Sequence, residues 1–174
     1  MLHTLVILVE DKPGVLNRVA SLFRRRAFNI ESLTVGHTDM AGISRMTITV
    51  DGGKANVDRI KYYLYKLVNV VRVEDLTDKR MVARDLALIK VSTEAEKRGE
   101  IFQMVEVFRG HVLDVTNNSL IIEVTGDEEK INGFVEVLKP LGILEMVRTG
   151  AVAMERGSES LINAAEVTYG AVPA

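Results

Sequence analysis

VEDKPGVLNRVASLF, residues 9–23, leads from a strand through a tight turn into an amphipathic helix. Val15, Leu16, Val19, Ala20, Leu22 and Phe23 recur at helical spacing, while Asn17, Arg18, Ser21, Arg24 and Arg25 fall on the opposite side. Upstream, Leu5–Val9 is an unbroken apolar run ended by Glu10 and Asp11, the pattern of a strand buried on both faces in the middle of a sheet. Downstream, NIESLTV and SRMTITV read as two strands, the second alternating Met46, Ile48 and Val50 with Thr47 and Thr49. A second helix carries Val57, Ile60, Leu64, Leu67 and Val68 on one stripe, and VVRVEDL closes the set as a strand. The order is β-α-β-β-α-β.

From Arg84 the order repeats. LALIKV is a strand, and a helix follows with Ile101, Met104, Val105 and Phe108 on one face and Gly110 as its expected C-terminal cap. HVLDVTNNSLIIEV is a hairpin whose Asn117-Asn118 turn is expected to take positive φ. Asp127 is placed to cap a fourth helix with the stripe Ile131, Phe134, Val135 and Leu138; Pro140 and Gly142 stop it. ILEMVRTGAVAM is then one last strand. The expected fold class is α+β, with two ferredoxin-like βαββαβ domains over 1–76 and 84–157, a linker over 77–83 and a loosely ordered tail over 158–174. Helices cover one face of each sheet, so the apolar second face of the first sheet needs a cover from the second half or a second chain.

Composition narrows function. The 174 residues carry a formal net charge of -2, with no global basic field for nucleic acid or anionic lipid. There is no cysteine, which removes disulfides, thiolate metal sites and cysteine nucleophiles. The N-terminal apolar run is too short to span a bilayer and lacks the features of a signal peptide, so a soluble, cytoplasmic protein is expected. RNA-recognition modules of the same topology stack bases on aromatic residues of the central strands; LVILV and RMTITV contain none. His3, His37 and His111 have no metal-ligand spacing, and no nucleophile elbow, Walker loop or dinucleotide fingerprint is present. No catalytic residue and no metal ligand is assigned, and no nucleic acid or membrane is expected as a partner.

The turn EDKPGVL remains. Glycine lets the backbone approach something small, and the first amides of a helix lack partners within it, so this turn can receive a carboxylate. Asp11 offers only acceptor oxygens, suited to an ammonium group or a backbone amide. A carboxylate beside an ammonium describes a free amino acid. Equally, Asp11 could merely cap the helix, with Pro13 and Gly14 shaping the turn.

VEDKPGVLNRVASLFRRRAFNIESLTVG, SRMTITV and KLVNVVRVEDL, with LALIKV, VFRGHVLDVT and VRTGAVAMERG further on, resemble the small, regulatory subunit of acetolactate synthase, whose N-terminal part is an ACT domain. The likeness runs collinearly over residues 1–157. It implies a non-catalytic subunit that activates a separate catalytic large subunit, which carries thiamine diphosphate, FAD and a divalent metal; this chain itself carries no cofactor. It also implies feedback inhibition by valine, or by isoleucine or leucine, in branched-chain amino-acid biosynthesis, and a homodimer through the ACT domains. The resemblance places the effector between paired ACT domains, against Asp11, Gly14, Val15 and Asn17 of one chain and Asn29 and Ile30 of the other. Three positions depart from the family pattern: Asp11 stands where asparagine is frequent, Ala27 where glycine is frequent, and Ala83 where an acidic residue is frequent. The alternative is a stand-alone amino-acid sensor without an enzyme partner.

Overall fold

A computed structural model describes residues 2–94, 96–158 and 160–161. The elements run β1 (Leu2–Glu10), α1 (Val15–Arg25), β2 (Ile30–His37), β3 (Ile43–Asp51), α2 (Lys54–Leu64), β4 (Val70–Asp75), β5 (Met81–Ser92), α3 (Arg98–Val107), β6 (His111–Val115), β7 (Ser119–Gly126), α4 (Glu128–Leu138), β8 (Ile143–Arg148) and β9 (Val152–Glu155). The expected βαββαβ order is present twice. Two compact units result, 2–82 with 152–161 and 83–151.

In the first unit the strands lie in the order β2-β3-β1-β4, all neighbours antiparallel. The run Leu5–Val9 forms the middle of this sheet, each residue at most 2% exposed. Register explains the core: Ile7 lies opposite Met46 and Val73, and Leu5 opposite Ile48. These side chains meet Val15, Val19, Leu22 and Phe23 of α1 and Val57, Ile60 and Leu64 of α2. Burying each such side chain stabilises the fold by roughly 1.5–3 kcal/mol.

The opposite face is closed as well, with Val6 at 1% and Leu8 at 2% exposure. Arg45 on β3 donates to the Ala153 carbonyl and Arg72 on β4 to the Leu161 carbonyl. Lys79 pairs with Glu155 at 2.9 Å and with Glu74 at 3.5 Å, and the two carboxylates hold its ammonium above the usual lysine range. Residues 152–158 and 160–161 therefore lie with the first unit. The single strand expected over ILEMVRTGAVAM is two strands, because Gly150 takes φ 83° between β8 and β9 and donates its N–H to Asp85 Oδ1 at 3.1 Å. Strand β5 begins at Met81, inside the segment expected as a linker. Of the expected tail, residues 159 and 162–174 lie outside the described residues.

The second unit has the strand order β6-β7-β5-β8. β9 pairs with β5, whose first residues belong to the first unit, and Arg156 N–H donates to Arg80 O there. Ala87, Ile89 and Val91 of β5 and Leu120, Ile122 and Val124 of β7 pack on Ile101 and Val105 of α3 and Ile131, Phe134 and Leu138 of α4. Asp127 caps α4 as expected, accepting the Lys130 N–H at 2.9 Å. The 117–118 turn differs from expectation, since neither asparagine has positive φ. Thr116 closes it instead: its hydroxyl oxygen accepts the N–H groups of Asn118 and Ser119, which removes the need for a left-handed pair.

Helix ends carry a second correction. At the end of α3 the left-handed residue is Arg109, φ 51°, with Arg109 N–H on Glu106 O and Gly110 N–H on Val105 O, the Schellman pattern. Gly110 is required for another reason: a Cβ there would sit 2.9 Å from the Glu123 carbonyl oxygen. At the end of α1 the same pattern uses Ala27, φ 56°, with Ala27 N–H on Arg24 O and Phe28 N–H on Phe23 O. The Phe23 and Phe28 rings meet edge to face at 6.4 Å and hold the motif despite the alanine. A left-handed alanine costs about 1–2 kcal/mol, and a glycine there gives back about 0.5 kcal/mol as extra freedom of the unfolded chain. Ala27→Gly is therefore expected to stabilise the protein by about 1 kcal/mol, read as a rise in Tm of roughly 2–4 °C.

Candidate functional site

The β1–α1 loop is fastened from three sides. Glu10 N–H donates to Asn69 O at 2.9 Å, Asp11 N–H to Gly42 O at 2.8 Å, and Lys12 N–H to Glu10 O at 3.0 Å. Asn69, only 7% exposed, joins the loop to α1: its amide group donates to the Glu10 carboxylate and its oxygen accepts from Arg18. The hydrogen bond from Asn69, and then Lys12, hold the Glu10 carboxyl below its ordinary value. Sequence reasoning missed Asn69, whose signal was a lone amide in the apolar stretch LVNVV.

Helix α1 starts without a side-chain cap. Its N-cap residue is Gly14, φ 84°, so Pro13 precedes the helix and Asp11 does not cap it. Val15 N–H donates to Lys12 O and Arg18 N–H to Gly14 O, whereas the N–H groups of Leu16 and Asn17 have no acceptor among the described residues. These two amides point out of the helix tip, where the positive end of the helix dipole adds to them. Open space surrounds Gly14: nothing lies within 4 Å of a Cβ built there. The Val15 side chain is buried in the first core, so only its backbone borders the loop. Asp11 turns away from the helix to His37, with Oδ2 3.3 Å from Nδ1.

Asn29 and Ile30 lie at the other end of α1, a helix of 11 residues and thus about 16 Å long. Exposed Asn29 donates its amide to the Glu31 carboxylate, and partly buried Ile30 packs on the first core opposite Val50. Asn29 also borders a cleft of about 410 Å³ with Arg26, Asp51, Asn56, Arg59 and Tyr63; none of the loop residues line it. Arg26 stacks on the Tyr63 ring, 3.8 Å from its centre. The six candidate residues therefore form two groups. Asp11, Gly14, Val15 and Asn17 stand near the His37 end of β2, and Asn29 and Ile30 at its start. β2 is the outermost strand of its sheet, and its eight residues span about 25 Å.

Among the described residues no cluster of three or more histidines, aspartates or glutamates could hold a metal ion. No described helix is long and apolar enough to cross a membrane.

Two family descriptions match the chain: an AHAS small subunit-like ACT domain over residues 5–72 and the small subunit of acetolactate synthase over residues 84–157. A probable acetolactate synthase small subunit of Archaeoglobus fulgidus is 50% identical over 159 residues, covering 91% of this chain and 99% of that protein. The acetolactate synthase small subunit of Mycolicibacterium smegmatis is 47% identical over 159 residues, 91% of this chain and 94% of that protein. The crystal structure of the acetolactate synthase small subunit from Thermotoga maritima superposes with a TM-score of 0.85 at 43% identity, covering 91% of this chain and 99% of that one.

Proposed function

Since the chain belongs to the family of acetolactate synthase small subunits, we propose that it is the non-catalytic regulatory subunit of that enzyme and confers feedback inhibition by valine, or by leucine or isoleucine. The thiamine diphosphate, FAD and divalent metal then belong to the catalytic subunit that it activates. The observation that carries the effector reading is the division of the candidate site between the two ends of one edge strand.

The outermost strand of this sheet, eight residues long with Val35 42% exposed, invites pairing with a second copy. Antiparallel pairing of two such edges, about a two-fold axis through the middle of β2, brings the His37 end of each beside residue 30 of the other. Each protomer then supplies helix-tip amides for a carboxylate, and its neighbour supplies Asn29, which offers both a donor and an acceptor. Neither copy alone assembles that set. A small aliphatic zwitterion fits such a niche, and inhibition follows if effector and catalytic subunit favour different arrangements of the dimer, with a coupling of about 1–3 kcal/mol.

Mixing the purified chain with a catalytic subunit tests the reading. The expected result is raised acetolactate formation that added valine reverses. A chain that binds valine but leaves the catalytic rate unchanged is a stand-alone sensor, and the enzyme-subunit reading is then wrong.

A further inference from the structure

The cleft beside Tyr63 lies wholly within the first unit, among residues from the end of α1, the start of β2, the end of β3 and α2. Its room of about 410 Å³ is that of a small-molecule site. Donors and acceptors there are unequally used. Glu31 already accepts the Asn29 amide, and Asp51 has a contact of its own. By contrast, the guanidinium groups of Arg26 and Arg59, the Asn56 amide and the Tyr63 hydroxyl have no hydrogen-bond or ion-pair partner among the described residues. The cleft therefore holds a surplus of donors, and two of them are cations.

Arg26 is held ready for an anion. As the C-cap residue of α1 it donates its N–H to Leu22 O and Phe23 O, which fixes its backbone. Its guanidinium lies over the Tyr63 ring, 3.8 Å from the centre, and Tyr63 packs against the first core. Stacking uses the face of the guanidinium and leaves the N–H groups at its edge, the fork that grips a carboxylate or phosphate with two parallel bonds. Arg59 precedes Tyr63 by one helical turn and Asn56 precedes it by two, so all three share one face of α2. We propose that this cleft is a binding site for a small oxyanion, a phosphate or a dicarboxylate, held between Arg26 and Arg59 with the Asn56 amide. The carboxylates of Glu31 and Asp51 limit what it accepts: they repel an extended polyanion, whereas a compact anion needs only the guanidinium groups. The site lies apart from the β1–α1 loop and needs no second copy, so it is independent of the effector reading.

Calorimetry of the full chain with inorganic phosphate and, separately, with succinate, at one pH and one ionic strength, tests this. Saturable binding of at least one of them is expected, with a Kd of about 1 mM or below; which one binds separates a phosphate site from a dicarboxylate site. Charge-assisted hydrogen bonds are strong, so Arg26→Gln and Arg59→Gln are each expected to weaken binding about tenfold or more. Arg26→Lys, which keeps the charge and loses the fork, is expected to fall between wild type and Arg26→Gln. Arg24→Gln, at an exposed arginine outside the cleft, is expected to bind as wild type does. No saturable binding of either anion overturns the site, and so does a loss in Arg24→Gln as large as that in Arg26→Gln, the mark of diffuse charge. If neither anion binds while Arg59→Gln loses valine, the cleft belongs to the effector and the proposal is likewise overturned.

Discussion

Gly14→Asp is expected to abolish effector binding and leave the fold intact. A Cβ at Gly14 meets nothing within 4 Å, so the substitution is sterically free; its cost is the φ of 84°, about 1 kcal/mol for a residue with a side chain. The new carboxylate would hang at the tip of α1, beside the open amides of Leu16 and Asn17. There it competes for those donors and repels an arriving carboxylate. Two like charges about 4 Å apart near a protein surface interact with about 4 kcal/mol, so affinity is expected to fall by a factor on the order of 100 to 1,000. Calorimetry with valine reads this directly, and a thermal melt within a few degrees of wild type shows that the loss is local. If Gly14→Asp binds valine as wild type does, the β1–α1 loop is not the effector site.

The second large effect concerns stability. Asp85 is 6% exposed and accepts from Arg148 Nε at 2.7 Å, Thr149 Oγ1 at 3.1 Å and Gly150 N–H at 3.1 Å. Its carboxylate holds both the end of β8 and the turn that follows. Asp85→Ala removes the partner of a guanidinium that is only 28% exposed and leaves the Gly150 amide without its acceptor. Breaking a buried pair from one side costs about 3–5 kcal/mol; the partial exposure of Arg148, and its bond to Asn132, argue for the lower end. A fall in Tm of roughly 10 °C is expected by circular dichroism. Asp85→Asn, which keeps an acceptor but loses the charge, is expected to lose less. A melt of Asp85→Ala that matches wild type would show that the carboxylate is dispensable to the turn.

Asp85 also marks a boundary of what the sequence makes legible. The resemblance implies an acid at the position of Ala83, yet the structure uses the carboxylate two residues later, against an arginine 63 positions away. The Ala27 departure is the reverse case. Its alanine suggests a helix end built differently, and the structure keeps the left-handed Schellman geometry, held by Phe23 against Phe28. At Gly110 the residue was legible but its reason was not: the constraint is the Glu123 carbonyl of a neighbouring strand, while the neighbouring arginine takes the positive φ.

The candidate site divides in the same way. Gly14 and the unpartnered amides are consequences of a strand, a tight turn and a helix in succession, and such local succession is written in residues 9–23. Asn69, Gly42 and His37, which hold the loop and bear on Asp11, come from other elements brought in by the sheet.

The sequence by itself determined the two βαββαβ repeats, the burial of Leu5–Val9, the Asp127 cap and most of the core stripes of the four helices. All of these follow from side chains at most a few positions apart, whose spacing of two or 3.6 residues needs no knowledge of the rest of the chain. Leu16, expected on the stripe of α1, is 44% exposed, and Val68, expected on that of α2, lies past the helix end at 88% exposure. Tertiary structure alone decided that residues 152–158 and 160–161 lie with the first unit, that Asp11 faces His37, and that the six candidate residues separate to the two ends of β2. Those outcomes rest on a few hydrogen bonds and ion pairs between distant positions, such as Arg45 with Ala153. Each is weak beside the hydrophobic core, and each depends on the strand register that the core holds.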